Sequence, residues 1–412
     1  MTNMGNTSKF RNYFNIISGF AFKTDDLLDN GDIPVIKIGN ISNREGIKID
    51  ENTQYVNSKF LSLDVKYHIN KDDILISLTG SHINQPNSMV GRVCRNRENK
   101  EYLLNQRAGK VITKKGNADY IYYLLSTNEI KYAIANRAYG GANQVNISPK
   151  AILSIGWDFP DDMTQIKIGK ILRKYDDLIE NNKKRIDILD RMANLMFKEW
   201  FVKFRFPGYD TCQFITSNTI GWRYGVHEDT VNIPVGWKFD RLSEIAKFIR
   251  GKNITSAEMI AGDVPVISAG LEPSGYHNES NVKGFNLTIS ASGANAGYLA
   301  YHLEDVWAAD CSYYNNQENI WFVYNTLKFL QPVLTNMQVG SAQPHVYPKN
   351  INRTYSIIPS PEILELYCKK VTPIYDEINV LTRKNKYLLE QRDILLPRLM
   401  SGKLSVEGKE VI

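Results

Sequence analysis

The chain has 412 residues, 43% hydrophobic and 23% charged, a balance that fits about two to four packed domains and excludes a disordered polymer. No run of about 18 apolar residues occurs, which argues against a helical membrane span, and polar Met1 to Arg11 lacks the apolar segment of a secretory signal. Cys94, Cys212, Cys311 and Cys368 lie far apart with no C-x-x-C pair, so neither a zinc site nor a disulfide framework is expected, and a reducing cytoplasm is the simplest home.

In chain order, residues 1–160 read as a first β-rich module: short Val, Ile, Leu and Tyr runs broken by Gly, Asn and Pro. Residues 161–208 read as a long helix, ended by Pro207-Gly208. Leu172, Tyr175, Ile179, Asn182, Ile186, Leu189, Ala193, Met196 and Trp200 alternate at spacings of three and four, a heptad seam interrupted by one Asn. Residues 209–360 read as a second β-rich module. Residues 361–412 form a second helix and tail, with a seam of Val371, Ile374, Ile378, Leu381, Asn385, Leu388, Arg392, Leu395 and Leu399. Pro373 and Pro397 predict kinks. An Asn in each seam suits a role in fixing register.

The formal charge of +6 is unevenly spread. Residues 1–160 carry 20 Lys and Arg against 15 Asp and Glu, whereas residues 209–359 carry 10 against 13. A polyanionic partner suits the first module and leaves the second in doubt.

The chain repeats itself once. Gly141, Gln144 and Pro149 return 199 positions later as Gly340, Gln343 and Pro348, and Tyr175-Asp176-Asp177-Leu178-Ile179 returns as Tyr375-Asp376-Glu377-Ile378-Asn379. Upstream, Pro34-Val35-Ile36 matches Pro265-Val266-Ile267. Ile74-Leu75-Ile76-Ser77-Leu78-Thr79-Gly80 matches Leu287-Thr288-Ile289-Ser290-Ala291-Ser292-Gly293. The predicted fold is α+β: two β-rich globular modules, each followed by a long helix, the helices pairing as an antiparallel coiled coil with pseudo-twofold symmetry.

With these motifs in hand the chain resembles the specificity subunits of Type I restriction-modification systems over essentially its whole length. Ser18-Gly19-Phe20-Ala21-Phe22-Lys23 is similar to the family's opening motif, and Arg185 to Phe201 to its first conserved helix. Ile233-Pro234-Val235-Gly236-Trp237 resembles the entry to the second recognition domain, and Asp393 to Leu404 the C-terminal signature. The resemblance implies a non-catalytic, sequence-specific subunit bound to double-stranded DNA, each module reading half of an asymmetric bipartite site. It also implies two methylation subunits acting on adenine, and ATP-driven restriction subunits. S-adenosylmethionine, ATP and magnesium are then expected on those partners and none in this chain. The first module departs from the pattern in lacking a Pro-Gly-Trp entry.

A search for catalysis finds no support. Neither Gly402-Lys403 nor Gly251-Lys252 completes a phosphate loop, no Pro-Pro occurs, and the six histidines form no H-x-x-x-H pair. Gly293 to Gly297 lacks the helix and acidic partner of a dinucleotide site.

DNA contact calls for Arg, Lys, Asn and Gln at base edges, and for Lys, Arg, Ser and Thr at phosphates. The candidates in the first module are Lys37, Ser77, Thr79, Ser81, Asn84, Gln85, the arginine cluster Arg92, Arg95, Arg97 and Arg107, and Arg137 with Asn143. In the second they are Arg250, Lys252, Ser290, Ser292 and Asn295. Residues shared by both modules, such as Gly141 and Gln144, more readily hold the fold, and sequence-reading residues should differ between the halves. Competing readings are the specificity subunit of a fused restriction-methylation enzyme, an orphan DNA-binding subunit, and a helical scaffold that binds proteins.

Overall fold

The computed structural model describes residues 7–82, 85, 89–141, 144–217, 231–339 and 344–406. The chain divides into two compact units. One comprises Met1–Glu180 with Lys386–Ile412, the other Asn181–Asn385. The division cuts both long helices, whereas the sequence reading sets boundaries at helix ends. A linear reading does not show which module each stretch of helix packs against.

In the first unit a four-stranded antiparallel sheet runs in the order Val93–Arg95, Ile74–Ser77, Ala108–Thr113, Phe14–Ser18. A second sheet runs Gln54–Val56, Ile33–Ile36, Tyr102–Leu104, His68–Ile69, with its middle pair parallel. Helices α1 (Ala118–Ser126), α2 (Asn128–Ala135) and α3 (Pro149–Leu153) follow. The Asn117, Thr127 and Ser148 side chains accept N–H groups of their first turns, satisfying donors that a helix start leaves open. Helix α4 spans Asp162–Phe197.

The second unit repeats this plan. Its sheet runs Ile249–Arg250, Cys311–Tyr314, Asn286–Ser290, Leu299–His302. A smaller sheet runs Gly275–His277, Val264–Ile267, Trp307–Ala308, and its last pair is again parallel. Helices α5 (Ile320–Phe329), α6 (Gln331–Asn336) and α7 (Pro348–Asn352) correspond to α1–α3, and α8 spans Pro361–Met400. The chain passes unbroken through Pro373 and Pro397 within α8.

The long helices pair antiparallel within each unit. In the first, Ile168 and Leu172 share a core with Leu396 and Leu399. Arg392 Nη1 donates to Asp176 Oδ1 at 2.7 Å. In the second, Asn182 Nδ2 donates to Asn385 Oδ1 at 2.9 Å, while Ala193 and Phe197 pack in one core with Tyr367 and Val371. Leu172, Ile179, Asn182, Ile378, Leu381 and Asn385 are buried, but Ile186, Leu189 and Leu388 are half-buried. At four seam positions the heptad reading is off by one: Asp176, Phe197, Tyr375 and Leu396 are buried, and Tyr175, Met196, Ile374 and Leu395 only half so. An unsupercoiled helix turns every 3.6 residues rather than 3.5, so its buried face drifts off a strict heptad.

Candidate nucleic-acid interface

One edge of the main sheet is built the same way in both units. In the first, the Gly19 N–H donates to the Ala108 carbonyl at 3.0 Å, Leu78 to Arg107 at 2.9 Å, and Ile147 to Leu78 at 2.9 Å. In the second, Gly251 donates to Cys311 at 2.8 Å, Ala291 to Asp310 at 3.2 Å, and Val346 to Ala291 at 2.9 Å. These bonds fix the equivalences Ser18 with Arg250, Arg107 with Asp310, and Leu78 with Ala291. Strand pairing adds Thr79 opposite Asn146 and Ser292 opposite His345. A Cβ on Gly19 would lie 2.2 Å from the Leu104 carbonyl oxygen, and on Gly251 2.4 Å from that of Ala309. Only glycine lets the chain cross there, which explains its recurrence.

Several candidates serve the framework of the first unit. Ser77, Thr79 and Ser81 are buried. The Ser77 hydroxyl accepts from the Arg92 N–H at 3.0 Å, Thr79 donates to Asn146 Oδ1 at 2.7 Å, and Ser81 donates to the Gln85 carbonyl at 2.7 Å. Half-buried Lys37 donates to Gln54, and burial lowers its pKa. Gln85 is exposed; Asn84 and Asn143 lie outside the described residues, as do Gly340 to Gln343.

Three of the four clustered arginines are engaged within the protein. Arg95 is 2% exposed, pairs with Asp119 at 2.6 Å and sits 4.5 Å over the Tyr122 ring. Arg97 pairs with Asp177 at 2.9 Å and Asp176 at 3.3 Å. Arg92 Nη2 donates to the Ile38 carbonyl at 2.8 Å, and burial lowers its pKa. A strand that is buried on both faces turns its cations inward, where acids distant in sequence meet them. Arg107 alone of the four is exposed, and its guanidinium has no hydrogen-bond or ion-pair partner among the described residues. Arg137 is exposed and donates to the Ala133 carbonyl at 2.8 Å, at the end of α2.

In the second unit, Ser290 is buried and donates to the Ala269 carbonyl at 3.0 Å. Ser292 is buried and donates to Asp310 Oδ2, while Arg250 Nη2 pairs with Asp310 Oδ1. Exposed Lys252 lies 5.8 Å from the Trp307 ring centroid, and Asn295 is half-buried. Asp310 escapes the sequence reading, and Asn146 and His345, which end a pair of candidate loops (Arg137 to Asn146 and Gln338 to His345), are not singled out by it. Their signal was the repeat itself, which sets Asn146 and His345 199 positions apart.

Among the described residues no group of three or more His, Cys, Asp or Glu could hold a metal ion, and no helix is long and apolar enough to cross a membrane.

A profile of the family described as Type I restriction modification DNA specificity domain matches residues 6–191 and 234–391. The Type I restriction enzyme MjaIX specificity subunit of Methanocaldococcus jannaschii is 26% identical over 329 residues, covering 74% of this chain and 73% of that protein. The HindI specificity subunit of Haemophilus influenzae is 27% identical over 363 residues, covering 69% and 77%. The crystal structure of a Type I restriction-modification S subunit from M. genitalium superimposes with a TM-score of 0.61 at 18% identity, covering 97% of each chain, which shows a shared fold.

Proposed function

This chain belongs to the Type I restriction-modification DNA specificity family, and we propose that its two β-rich modules read the two unlike halves of one asymmetric, gapped site in double-stranded DNA. The observation that carries this reading is the duplicated sheet edge: one hydrogen-bonded framework, built twice, with different side chains at its tip. A protein reading two copies of one half-site would need the same tip twice. Two unlike tips suit a bipartite, asymmetric target.

The chain directs chemistry that its partners perform. Two methylation subunits dock on it and methylate adenine, and ATP-dependent restriction subunits complete the nuclease. S-adenosylmethionine, ATP and magnesium belong to those partners. This chain's contribution is to choose the sequence, through side chains at base edges and cations at phosphates.

The test is a map of adenine methylation in a host carrying the chain with its methylation subunit, against a host lacking only this chain. A gapped two-part motif that vanishes with the chain supports the proposal. An unchanged map, with both proteins present and co-purifying, sinks it.

A further inference from the structure

The two units share a framework and differ at its tip, and we propose that the difference is the base-reading element: Arg250, buttressed by Asp310, contacts a guanine in one half-site, and Arg107 contacts a guanine in the other. The inference rests on the half-site reading above and adds the residues that execute it.

Key framework positions keep their residue type. Gly19 matches Gly251, Ser77 matches Ser290, and Ile36 matches Ile267. The tip positions do not. Ser18 is replaced by Arg250, Arg107 by Asp310, and Asn146 by His345. Beneath the tip the changes stay apolar, Leu78 to Ala291 and Ile147 to Val346, whereas at the tip they alter charge and hydrogen bonding.

The second unit's tip is pre-organised. Asp310 is fixed from two sides, accepting the Ser292 hydroxyl on Oδ2 and Arg250 Nη2 on Oδ1. The Arg250 side chain stays 38% exposed, and its Nε and Nη1 have no partner among the described residues. Asp310 takes one Nη2 hydrogen, and the second still makes a two-donor edge with Nη1 or Nε, the shape that matches guanine O6 and N7. Holding it in the free protein lessens the rotamer entropy lost on binding. Neighbouring Lys252, a flexible point charge resting on Trp307, suits a phosphate instead.

The first unit has no acid at this place. The position of Asp310 is taken by Arg107, exposed, its main chain bonded to Leu78 and Asn105 but its guanidinium without a hydrogen-bond or ion-pair partner among the described residues. Each unit thus offers one guanidinium at the same edge, from different strands. Arg92, Arg95 and Arg97 are already engaged with the Ile38 carbonyl, Asp119, and Asp176 with Asp177.

The experiment maps adenine methylation on a host chromosome for the full chain with its methylation subunits, comparing wild type with Arg250→Ala, Arg250→Lys, Asp310→Asn and Arg107→Ala. Arg250→Ala is expected to relax one base position in one half of the motif, lowering discrimination roughly 10–100-fold. Arg250→Lys and Asp310→Asn relax that same position, less severely. Arg107→Ala relaxes a position in the other half. An unchanged motif in Arg250→Ala overturns the inference, as does methylation falling equally at all sites with every letter intact. Should Arg250→Ala abolish methylation altogether, the lysine variant decides: full discrimination with lysine overturns the bidentate contact, and relaxation at one position upholds it. A wild-type map independent of the chain defeats the half-site reading itself.

Discussion

Asp176 is the acid on which the first unit's interior turns, and Asp176→Ala tests how that interior is held. The side chain is 6% exposed. It accepts from Arg392 Nη1 at 2.7 Å, from Arg97 Nη2 at 3.3 Å and from the Tyr123 hydroxyl at 2.7 Å. Removing the carboxylate strands Arg392, itself only 7% exposed, with Asp393 as its remaining partner. Breaking a buried pair from one side costs about 3–5 kcal/mol, mostly the penalty of the orphaned charge. With a urea slope of about 1–3 kcal/mol/M, the first unit's midpoint should fall by roughly 1–5 M. Urea-dependent amide exchange in α1 and the first half of α4 reports this unit apart from the other. The double variant Asp176→Leu with Arg392→Leu should cost less than Asp176→Ala, because no charge is left buried; Arg97 keeps Asp177 at 2.9 Å. A midpoint shift near zero for the single variant, or a double variant costing at least the sum of its parts, would refute the reasoning.

Three further expectations follow from the same physics. Asn182→Leu leaves the buried Asn385 amide without its 2.9 Å partner and should cost about 1–3 kcal/mol in chemical denaturation, most of it regained when Asn385→Leu is added. Gly251→Ala drives a Cβ to within 2.4 Å of the Ala309 carbonyl oxygen; it should cost about 1–3 kcal/mol, read as a lowered melting temperature, and an unshifted melt would contradict the close approach. Burial pushes His302 down from 6.5 to about 4, so in that window the unfolded chain binds a proton that the folded one refuses. The second unit is therefore fully stable above about pH 6.5 and loses at most about 3 kcal/mol as pH falls through 4. His302→Gln should flatten that decline in urea melts taken across the window.

The repeat, the helices and the doubling of the modules were legible because they rest on local pattern. Ser77 and Ser290, or Ile36 and Ile267, align in the sequence and occupy equivalent places in the two sheets. The inward pairing of Arg95 and Arg97 is not legible in the sequence because their partners are remote. Arg97 and Asp176 are 79 residues apart, and nothing local to Arg95 announces that Asp119 and Tyr122 close over it. The off-by-one seam positions have a similar origin: Asp176 looks like an outer-face residue until Arg392 and Tyr123 are brought against it. The tip positions were half legible. Arg107 and Arg250 have the right chemistry, but only the hydrogen-bonded framework shows that Arg107 and Asp310 hold the same place.

That equivalence also resolves the acidic balance of the second module, which net charge alone counts against DNA. Some of its acids are already matched by its own cations: Asp305 pairs with Lys283 at 3.0 Å, and Asp310 with Arg250. Asp310 holds an arginine at the edge rather than repelling phosphate there. Net charge sets the long-range field and its salt dependence, whereas readout depends on how a few donors are oriented. An acid behind an arginine lowers the first quantity and improves the second. A module with fewer spare cations should therefore bind with a shallower salt dependence while discriminating bases as sharply. The contribution of each unit can be separated by titrating salt against DNA carrying one half-site intact and the other scrambled: equal slopes for the two halves would show that the local cancellation has no bearing on binding.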